Sequence, residues 1–237
     1  MEAKQKNNRI VAFIPVRGGS KSIPLKNIKE IAGKPLVFWT LQAVVQCPLV
    51  ERVVVATDSE EIGAKVAELH NEKVEIIGRS PETASDTAST ESAMLEFAQH
   101  DQDFEIIVLI QATSPLLRTQ DIERGIRKFL NGGYDSLLSV VRQKRFIWEE
   151  QGTEVKPLNY DPLARPRRQE HDGFLVENGA FYITSRTSLL NTQCRVSGKI
   201  GSYEMPGETY YELDEPSDWI VIENLLLKRG GEVFGEV

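Results

Sequence analysis

Four short, almost wholly apolar runs recur along the first half of the chain, and most are followed by a loop and an amphipathic helical pattern. The runs lie at residues 9–14, 52–57, 74–77 and 105–110. Continuous apolar runs of this length are typical of strands covered on both faces, and their alternation with helices indicates repeated βα units. The sequence therefore predicts an α/β fold with a mostly parallel central sheet and helices on both faces.

Helical periodicity predicts helices at residues 35–47, 89–99, 119–130 and 217–227. Two more apolar runs predict strands at residues 135–141 and 180–183, the second marking a return to the βα pattern. Asp58 is expected to cap the helix after the second strand, with Glu61 as its reciprocal partner. Because ligands bind beyond the carboxyl ends of parallel strands, we expect a site in the loops after residues 14, 57, 77 and 110.

The alternation of strand and helix stops between residues 142 and 176. This stretch contains three prolines and the cationic cluster RPRR at residues 165–168. A length of 237 residues is ordinary for one α/β domain. We therefore expect an extended arm at residues 142–176 within a single domain that spans residues 1–237.

Composition excludes several classes of protein. The 28 basic and 35 acidic residues give a net charge of −7, which argues against partners such as nucleic acid or an anionic membrane surface. No apolar run approaches the roughly 18 residues of a membrane span, and the first eight residues are polar, unlike a signal peptide. Cys47 and Cys194 are too few for a disulfide framework. These features predict a cytoplasmic protein.

The loop after the first strand, PVRGGSKSIPLKN at residues 15–27, has the composition of an anion site. Arg17, Lys21 and Lys26 supply positive charge, while the two adjacent glycines let backbone N–H groups approach a ligand closely. The predicted ligand is a polyphosphate. The spacing is neither that of a Walker loop nor that of a dinucleotide-binding loop. A solvated turn with scattered lysines is the alternative interpretation.

The loop QATSPLLR at residues 111–118 carries polar groups without charge at its start. A neutral amide and hydroxyls at the end of a strand suit an uncharged polar ligand such as a sugar. Alternatively, Ser114 or Thr119 caps the helix that follows, since hydroxyl caps are common.

The segment ELDEPSD at residues 212–218 precedes the last predicted helix. Strand alternation would place Glu212 and Asp214 on one face, where paired carboxylates could hold Mg²⁺ together with substrate phosphates. The alternative is an acidic helix N-terminus that complements the helix dipole. We favour the metal for Asp214 and the helix N-terminus for Asp218.

Four motifs in a fixed order carry a resemblance to a known family. The first loop, IPVRGGSKSIPLKNI at residues 14–28, resembles the signature of the acylneuraminate cytidylyltransferases, the CMP-sialic acid synthetases. The segments SDTAS at 85–89, QATSPLLR at 111–118 and NGAFY at 178–182 agree in order, and the match runs from about residue 9 to 228.

The resemblance implies a Rossmann-like nucleotide-sugar transferase fold, a homodimer in which the arm takes part, and a specific reaction. Members transfer CMP from CTP to the anomeric hydroxyl of a nine-carbon α-keto acid sugar, a nonulosonic acid, and release pyrophosphate with Mg²⁺ as cofactor. By this likeness the triphosphate and ribose of CTP would be held by Arg17, Ser20, Lys21, Lys26 and Asn27. Positions that line the cytosine pocket match Arg79, Ala88 and Thr90. Positions on the sugar side match Gln111, Arg167, Asn178 and Tyr182.

Catalysis would then depend on Arg17, Lys21 and Asp214, of which the first two neutralise phosphate charge as pyrophosphate leaves. Arg167 could bind the sugar carboxylate with two hydrogen bonds. Asp214 matches a metal-associated aspartate, whereas Glu212 replaces the second aspartate of the pair, so its metal role differs from the family pattern.

Three further departures fall on the sugar side: Ile147, Val176 and the pair Arg195-Val196. The CTP side has none, so the resemblance predicts CTP as substrate with a sugar other than N-acetylneuraminate itself; deaminated, legionaminic and pseudaminic relatives stay open. One alternative is the cytidylyltransferase for the eight-carbon acid Kdo, whose first loop tends to read RLPGK where this chain reads IPLKN. Another is a glycosyltransferase that consumes a nucleotide sugar.

Overall fold

The computed structural model describes residues 9–19 and 23–233. The polar first eight residues, Ser20 and Lys21 lie outside the described residues. The strands are β1 (Ile10–Pro15), β2 (Glu30–Ile31), β3 (Lys34–Pro35), β4 (Arg52–Thr57), β5 (Val74–Gly78), β6 (Ile106–Ile110), β7 (Ser136–Gln143), β8 (Trp148–Gln151), β9 (Glu154–Pro157), β10 (Phe174–Ser185) and β11 (Ile200–Met205). The helices are α1 (Leu36–Val45), α2 (Glu60–Ala67), α3 (Pro81–Ala84), α4 (Thr90–His100), α5 (Thr119–Gly132), α6 (Arg186–Thr192) and α7 (Pro216–Val233).

Seven strands form the central sheet in the order β11-β7-β10-β6-β1-β4-β5. Neighbouring strands are parallel except at β10, which runs antiparallel to both β6 and β7. This confirms the predicted α/β fold with a mostly parallel sheet. Residues 180–183 lie in a strand, as predicted, and strand and helix alternate again through α6, β11 and α7. The strand is longer than predicted, at 12 residues, and it runs antiparallel to its neighbours. Strand β11 and helix α6 had no sequence-based prediction.

The two faces of the sheet bury separate apolar clusters, as continuous apolar strands require. On β1, Ala12 and Ile14 join one cluster, while Val11 and Phe13 join the other. Phe13 stacks on Phe97 of helix α4 with ring centroids 5.2 Å apart. Each fully buried side chain of this size contributes about 1.5–3 kcal/mol. The packing fixes the carboxyl ends of β1, β4 and β6 at one edge of the sheet.

The predicted cap of helix α2 is wrong. Ser59, not Asp58, caps α2: its Oγ accepts a hydrogen bond from the backbone N–H of Ile62 at 3.3 Å, because a serine one residue later sits at the position where the helix begins. The Asp58 carboxylate accepts instead from the N–H of Gly18 at 2.9 Å.

Helix α5 is capped by a residue inside its first turn. Asp121 Oδ2 accepts from the Arg118 N–H at 3.2 Å, whereas the Thr119 hydroxyl donates to the carbonyl of Ala43 at 2.8 Å. The buried Ser114 hydroxyl has no hydrogen-bond partner. Neither hydroxyl therefore caps the helix, so the alternative interpretation of Ser114 or Thr119 as a helix cap is wrong.

The βα alternation does stop in the predicted arm, but strands enter it from both ends. Strand β7 reaches Gln143 and β10 begins at Phe174, and these two residues pair directly. Between them β8 and β9 form a hairpin that pairs only with itself in the described chain. The exposed apolar side chains of the arm include Trp148 and Val155 on the hairpin and Leu163 after it. A role for the arm in a dimer stays a prediction.

Among the helices described, none is long and apolar enough to cross a membrane. Both cysteines are free, and Cys47 is buried in the main apolar cluster.

Candidate active site

A cleft of about 300 Å³ opens at the carboxyl edge of the sheet, where the sequence predicts a ligand site. It is formed by the loop after β1, the segment before α4 and the loop after β6. The lining residues are Pro15, Arg17, Lys26, Asn27, Arg79, Ser85, Asp86, Ala88, Ser89, Thr90, Gln111, Ala112 and Thr113. Seven predicted site residues thus line one cleft, although they come from four separate parts of the sequence.

Arg17 extends from the loop after β1 to the opposite wall. Its Nη1 lies 2.9 Å from Oδ1 of Asp86 and 3.4 Å from the carbonyl oxygen of Ser85. The side chains of Arg17 and Asp86 are 36% and 49% exposed, so water screens this ion pair. A guanidinium in this place can bind a phosphate with two parallel hydrogen bonds.

Gly18 brings the same loop against the turn between β4 and α2. A Cβ at this position would lie 3.0 Å from the Ser59 Cβ, so a larger residue would push the loop away. The Gly18 N–H is bound by Asp58, as described above, and the Asn27 side-chain amide donates to the Arg17 carbonyl at 3.3 Å. The backbone of the first loop is therefore anchored at two points.

Lys26 is nearly buried at the base of the cleft. Its Nζ donates to the carbonyl of Leu213 at 2.6 Å and lies 3.3 Å from Oδ1 of Asp214. Through these two contacts Lys26 connects the cleft to the acidic segment before α7, in which Leu213 is fully buried. That segment is irregular and not a strand as predicted, yet it brings Asp214 within 3.3 Å of Lys26 at the end of the first loop.

Asp218 belongs to the N-terminus of helix α7, which is the role that the sequence favours for it. Its Oδ2 accepts from the N–H groups of Asp214 and Glu215 at 3.0 and 2.8 Å, which satisfies backbone donors at the start of α7.

Arg79 closes the cleft on the side of β5. Its guanidinium donates to the carbonyl of Thr83, while its Nε is buried without a partner. Burial lowers the pKa of Arg79, and the charge of Arg17 lowers it further against the opposing effects of Asp58 and Glu96. A group in this setting gains from a new hydrogen-bond acceptor, such as a base or a phosphate.

Glu212 lies beside the bulge of β10 and not in the cleft lining. Its Oε1 occupies the space that a Cβ on Gly179 would take, and Gly179 has a φ of +62°. Burial raises the pKa of Glu212, and the carboxylates of Asp214 and Glu177 raise it further. A cation at this place would offset that cost.

Asn178 is 1% exposed, and its Nδ2 donates to the carbonyl and the hydroxyl of Thr209 at 3.2 and 3.0 Å. Its Oδ1 is buried without a hydrogen-bond partner. In this structure the side chain supports the fold of the segment before α7. Access for a sugar would require that segment to move.

Tyr182 is also buried, and its hydroxyl has a hydrogen-bond partner within the protein. Its hydroxyl donates to Glu177 Oε2 at 2.8 Å, and Arg195 lies over its ring at 4.4 Å. Burial, followed by the hydrogen bond to Glu177, raises the pKa of Tyr182 to about 12. Arg195 is held in turn by Glu91 at 3.1 Å, on the first turn of α4 next to the cleft residue Thr90.

Arg167 lies on the exposed arm, with its backbone N–H donating to Glu170 at 3.2 Å. It does not line the cleft of its own chain among the residues described. Val176, at the other end of the arm, packs against the main apolar cluster.

The structure therefore groups the predicted residues in two sets. Arg17, Lys26, Asn27, Arg79, Ala88, Thr90 and Gln111 line the cleft, with Asp214 in contact with Lys26. Asn178, Tyr182, Glu212 and Arg167 lie outside the lining. Sequence reasoning missed Asp86 as a cleft residue, although it stands in the motif SDTAS, and missed Asp58 as a partner of the first loop.

The chain is similar in sequence to known proteins over most of its length. A family model described as cytidylyltransferase matches residues 11–229. The chain is 40% identical to N-acylneuraminate cytidylyltransferase A of Danio rerio, over 96% of this chain and 53% of that protein. It is 29% identical to CMP-N,N'-diacetyllegionaminic acid synthase of Legionella pneumophila, over 92% of this chain and 96% of that protein. The chain spans about half the length of the Danio rerio and Oncorhynchus mykiss relatives that it matches.

Solved structures of similar fold include CMP:2-keto-3-deoxy-manno-octonic acid synthetase complexed with CTP, with a TM-score of 0.67 at 20% identity over 93% of this chain and 99% of that chain. The 4-diphosphocytidyl-2C-methyl-D-erythritol synthase of Anaerococcus prevotii has a TM-score of 0.70 at 13% identity, over 94% and 97%. These likenesses confirm the predicted nucleotide-sugar transferase type of fold.

Proposed function

The chain belongs to the cytidylyltransferase family, and we propose that it transfers CMP from CTP to the anomeric hydroxyl of a nine-carbon nonulosonic acid, releasing pyrophosphate. The observation that carries the proposal is the single cleft that collects Arg17, Lys26, Asn27, Arg79 and Gln111 at the carboxyl edge of the sheet. Its cationic side suits a triphosphate, and its neutral amide suits a polar ligand without charge.

In the proposed reaction the anomeric oxygen attacks the α-phosphorus of CTP. The new O–P bond forms as the bond from the α-phosphorus to the bridging oxygen of pyrophosphate breaks, and the hydroxyl proton passes to water. Two anions must meet, so positioning and charge neutralisation supply most of the rate enhancement. Arg17 and Lys26 bind the phosphates, with Lys21 as a third predicted cation, and Arg79 binds on the cytosine side.

The Asp214 and Glu212 carboxylates have the donor chemistry for Mg²⁺, which usually takes one or two protein carboxylates plus substrate phosphates. No group of three or more His, Cys, Asp and Glu side chains in the described chain could hold a metal alone. Such a cation would neutralise phosphate charge, and Asp214 is well placed beside Lys26. Magnesium dependence should therefore appear only with nucleotide present.

The remaining parts of the proposal concern assembly. Residues 1–237 act as a single domain, and the arm at 142–176 carries Arg167 toward the sugar site of a second copy in a homodimer. The exposed apolar side chains of the β8–β9 hairpin support this, because they lack cover in one chain. Two free cysteines are consistent with a cytoplasmic location.

Pyrophosphate release from CTP with Mg²⁺ tests the proposal, with N-acetylneuraminic, deaminated, legionaminic, pseudaminic and Kdo acids supplied one at a time. We expect release with a nine-carbon acid and none without sugar. Release only with Kdo would favour the eight-carbon alternative, and no release with any acid would contradict the proposal. A clear preference for N-acetylneuraminate would contradict the prediction drawn from Ile147, Val176 and Arg195.

A further inference from the structure

Three donors that face the predicted phosphate site are already bound by carboxylates of the protein. Arg17 pairs with Asp86, the Gly18 N–H with Asp58, and Lys26 with Asp214. Of these three carboxylates, Asp86 is the one that lines the cleft itself. We propose that Asp86 competes with phosphate for Arg17, and so lowers the affinity for CTP and speeds the release of pyrophosphate. This inference rests on the proposed function and assigns a specific residue to the turnover of that site.

The position of Asp86 makes competition unavoidable. Its Oδ1 lies 2.9 Å from Arg17 Nη1, and the two residues come from opposite walls of the cleft. A phosphate bound by the same guanidinium would stand within a few ångströms of the carboxylate. Like charges at that distance repel, so either the carboxylate moves away or the phosphate is held less tightly.

The ion pair is also weak enough to be exchanged. Both side chains are exposed by a third or more, at 36% and 49%, and pairs of this kind contribute little. A triphosphate offers several charged acceptors, which bind arginine more strongly than one screened carboxylate does. CTP therefore displaces Asp86, whereas pyrophosphate, once cut from the nucleotide, keeps fewer contacts and is displaced by it.

The inference predicts a gain of affinity on removing the carboxylate. Replacing Asp86→Asn should lower the dissociation constants of CTP and of pyrophosphate by about 2- to 5-fold, as expected for loss of one exposed competing charge. Asp86→Glu should stay close to wild type, because it restores the charge. The difference between wild type and Asp86→Asn should shrink between 0.05 and 0.5 M salt, roughly as screening of exposed charges grows.

Isothermal titration of the full chain with CTP and with pyrophosphate measures these constants, and inhibition of turnover by pyrophosphate measures the consequence. Glu82→Gln is the matched control: it removes the same charge four residues away, and Glu82 does not line the cleft in the described structure. In an Arg17→Ala background, Asp86→Asn should change both constants less than it does in the wild-type background, since the guanidinium for which the carboxylate competes is gone.

A purely structural role predicts the opposite sign. If Asp86 only holds Arg17 in place, Asp86→Asn will weaken CTP binding, and that result overturns the inference. Equal affinities for wild type and Asp86→Asn overturn it as well. Wild-type chain that binds no CTP at all would instead contradict the proposed function, so the two failures are distinct.

Discussion

The nucleotide side and the acceptor side of the candidate site lie at the same edge of the sheet, but their polar groups face different partners. Arg17, Lys26 and Arg79 project into an open cleft. Asn178 and Tyr182 are buried and hydrogen-bonded within the protein, outside the cleft lining. On the first side, Arg17 lines an open cleft and its ion pair with Asp86 is exposed to solvent. On the second side, the side chains form a buried hydrogen-bonded network.

This difference has a physical basis. A phosphate site needs fixed backbone N–H groups and cations, which one loop and one neighbouring segment can supply. An acceptor site must admit a sugar beside the nucleotide. Here the Nδ2 of Asn178 and the hydroxyl of Tyr182 already donate to Thr209 and Glu177 within the protein. Substitutions on the nucleotide side should therefore weaken CTP binding. Substitutions on the acceptor side should lower the stability of the fold and change the use of the sugar.

Replacing Arg17→Ala has the largest expected effect. Loss of one charge aimed at the reacting phosphates should lower kcat/KM for pyrophosphate release by about 10²- to 10³-fold. Steady-state kinetics measures this, and Arg127→Ala on the exposed face of α5 serves as the control for loss of a surface arginine. A decrease below tenfold would remove Arg17 from the machinery and with it the contrast between the two sides.

Replacing Gly179→Ala tests the acceptor side. The new Cβ would collide with Glu212, and the φ of +62° is unfavourable for alanine, so unfolding free energy should fall by about 1–3 kcal/mol. Urea unfolding measures the loss. Gly207→Ala is the control, because a Cβ there meets nothing within 4 Å. The variant should change the affinity for CTP less than it changes the KM for the sugar. A larger change in CTP affinity would contradict the separation of a nucleotide side from an acceptor side.

Tyr182→Phe tests the closed network through pH. The pKa of Tyr182 is raised to about 12 from a usual value near 10, so the folded state holds the phenolic proton more tightly than the unfolded state. That contribution is present below pH 10 and is lost as pH rises toward 12, with a limit of about 3 kcal/mol for a shift of this size. Between pH 9.5 and 11.5, wild type should lose more stability than Tyr182→Phe. Tyr210→Phe, at an exposed site, should behave as wild type.

The smallest expected effect comes from Asp58→Ala. The variant loses the carboxylate that holds the Gly18 N–H, and one such hydrogen bond is worth about 1 kcal/mol, so CTP affinity should fall about 5-fold. Asp58→Asn keeps an acceptor and should lose less. Titration with CTP measures both, and stronger binding by Asp58→Ala would mean that Asp58 repels phosphate and does not anchor the loop.

Much of the sheet could be predicted because its strands are uniform. The runs at β1, β4 and β6 are apolar throughout, and both faces of each are covered. Strand β10 was predicted only in its buried half, because its first residues alternate in exposure and its direction depends on pairing that no local pattern encodes. The cleft could also be located from the sequence, because each loop that lines it is a short continuous motif.

Contacts between loops were not predictable in the same way. Asp58 and Ser59 are both good helix caps, and only the approach of Gly18 decides which side chain turns to the helix. Asp86 meets Arg17 across 69 positions of sequence, and Asn178 meets Thr209 across 31. Such partners are set by the assembled sheet and not by local propensity.

The reversed direction of β10 has a consequence for how this protein family can diversify. Because β7 ends and β10 begins at the same edge, the chain leaves the sheet at Gln143 and re-enters opposite it at Phe174. The segment between them, with its separate β8–β9 hairpin, is an insertion whose two ends are adjacent, so its length can change without moving a strand of the central sheet. A change in this insertion would leave the strands β1, β4 and β6, whose carboxyl ends bear the candidate cleft, in place.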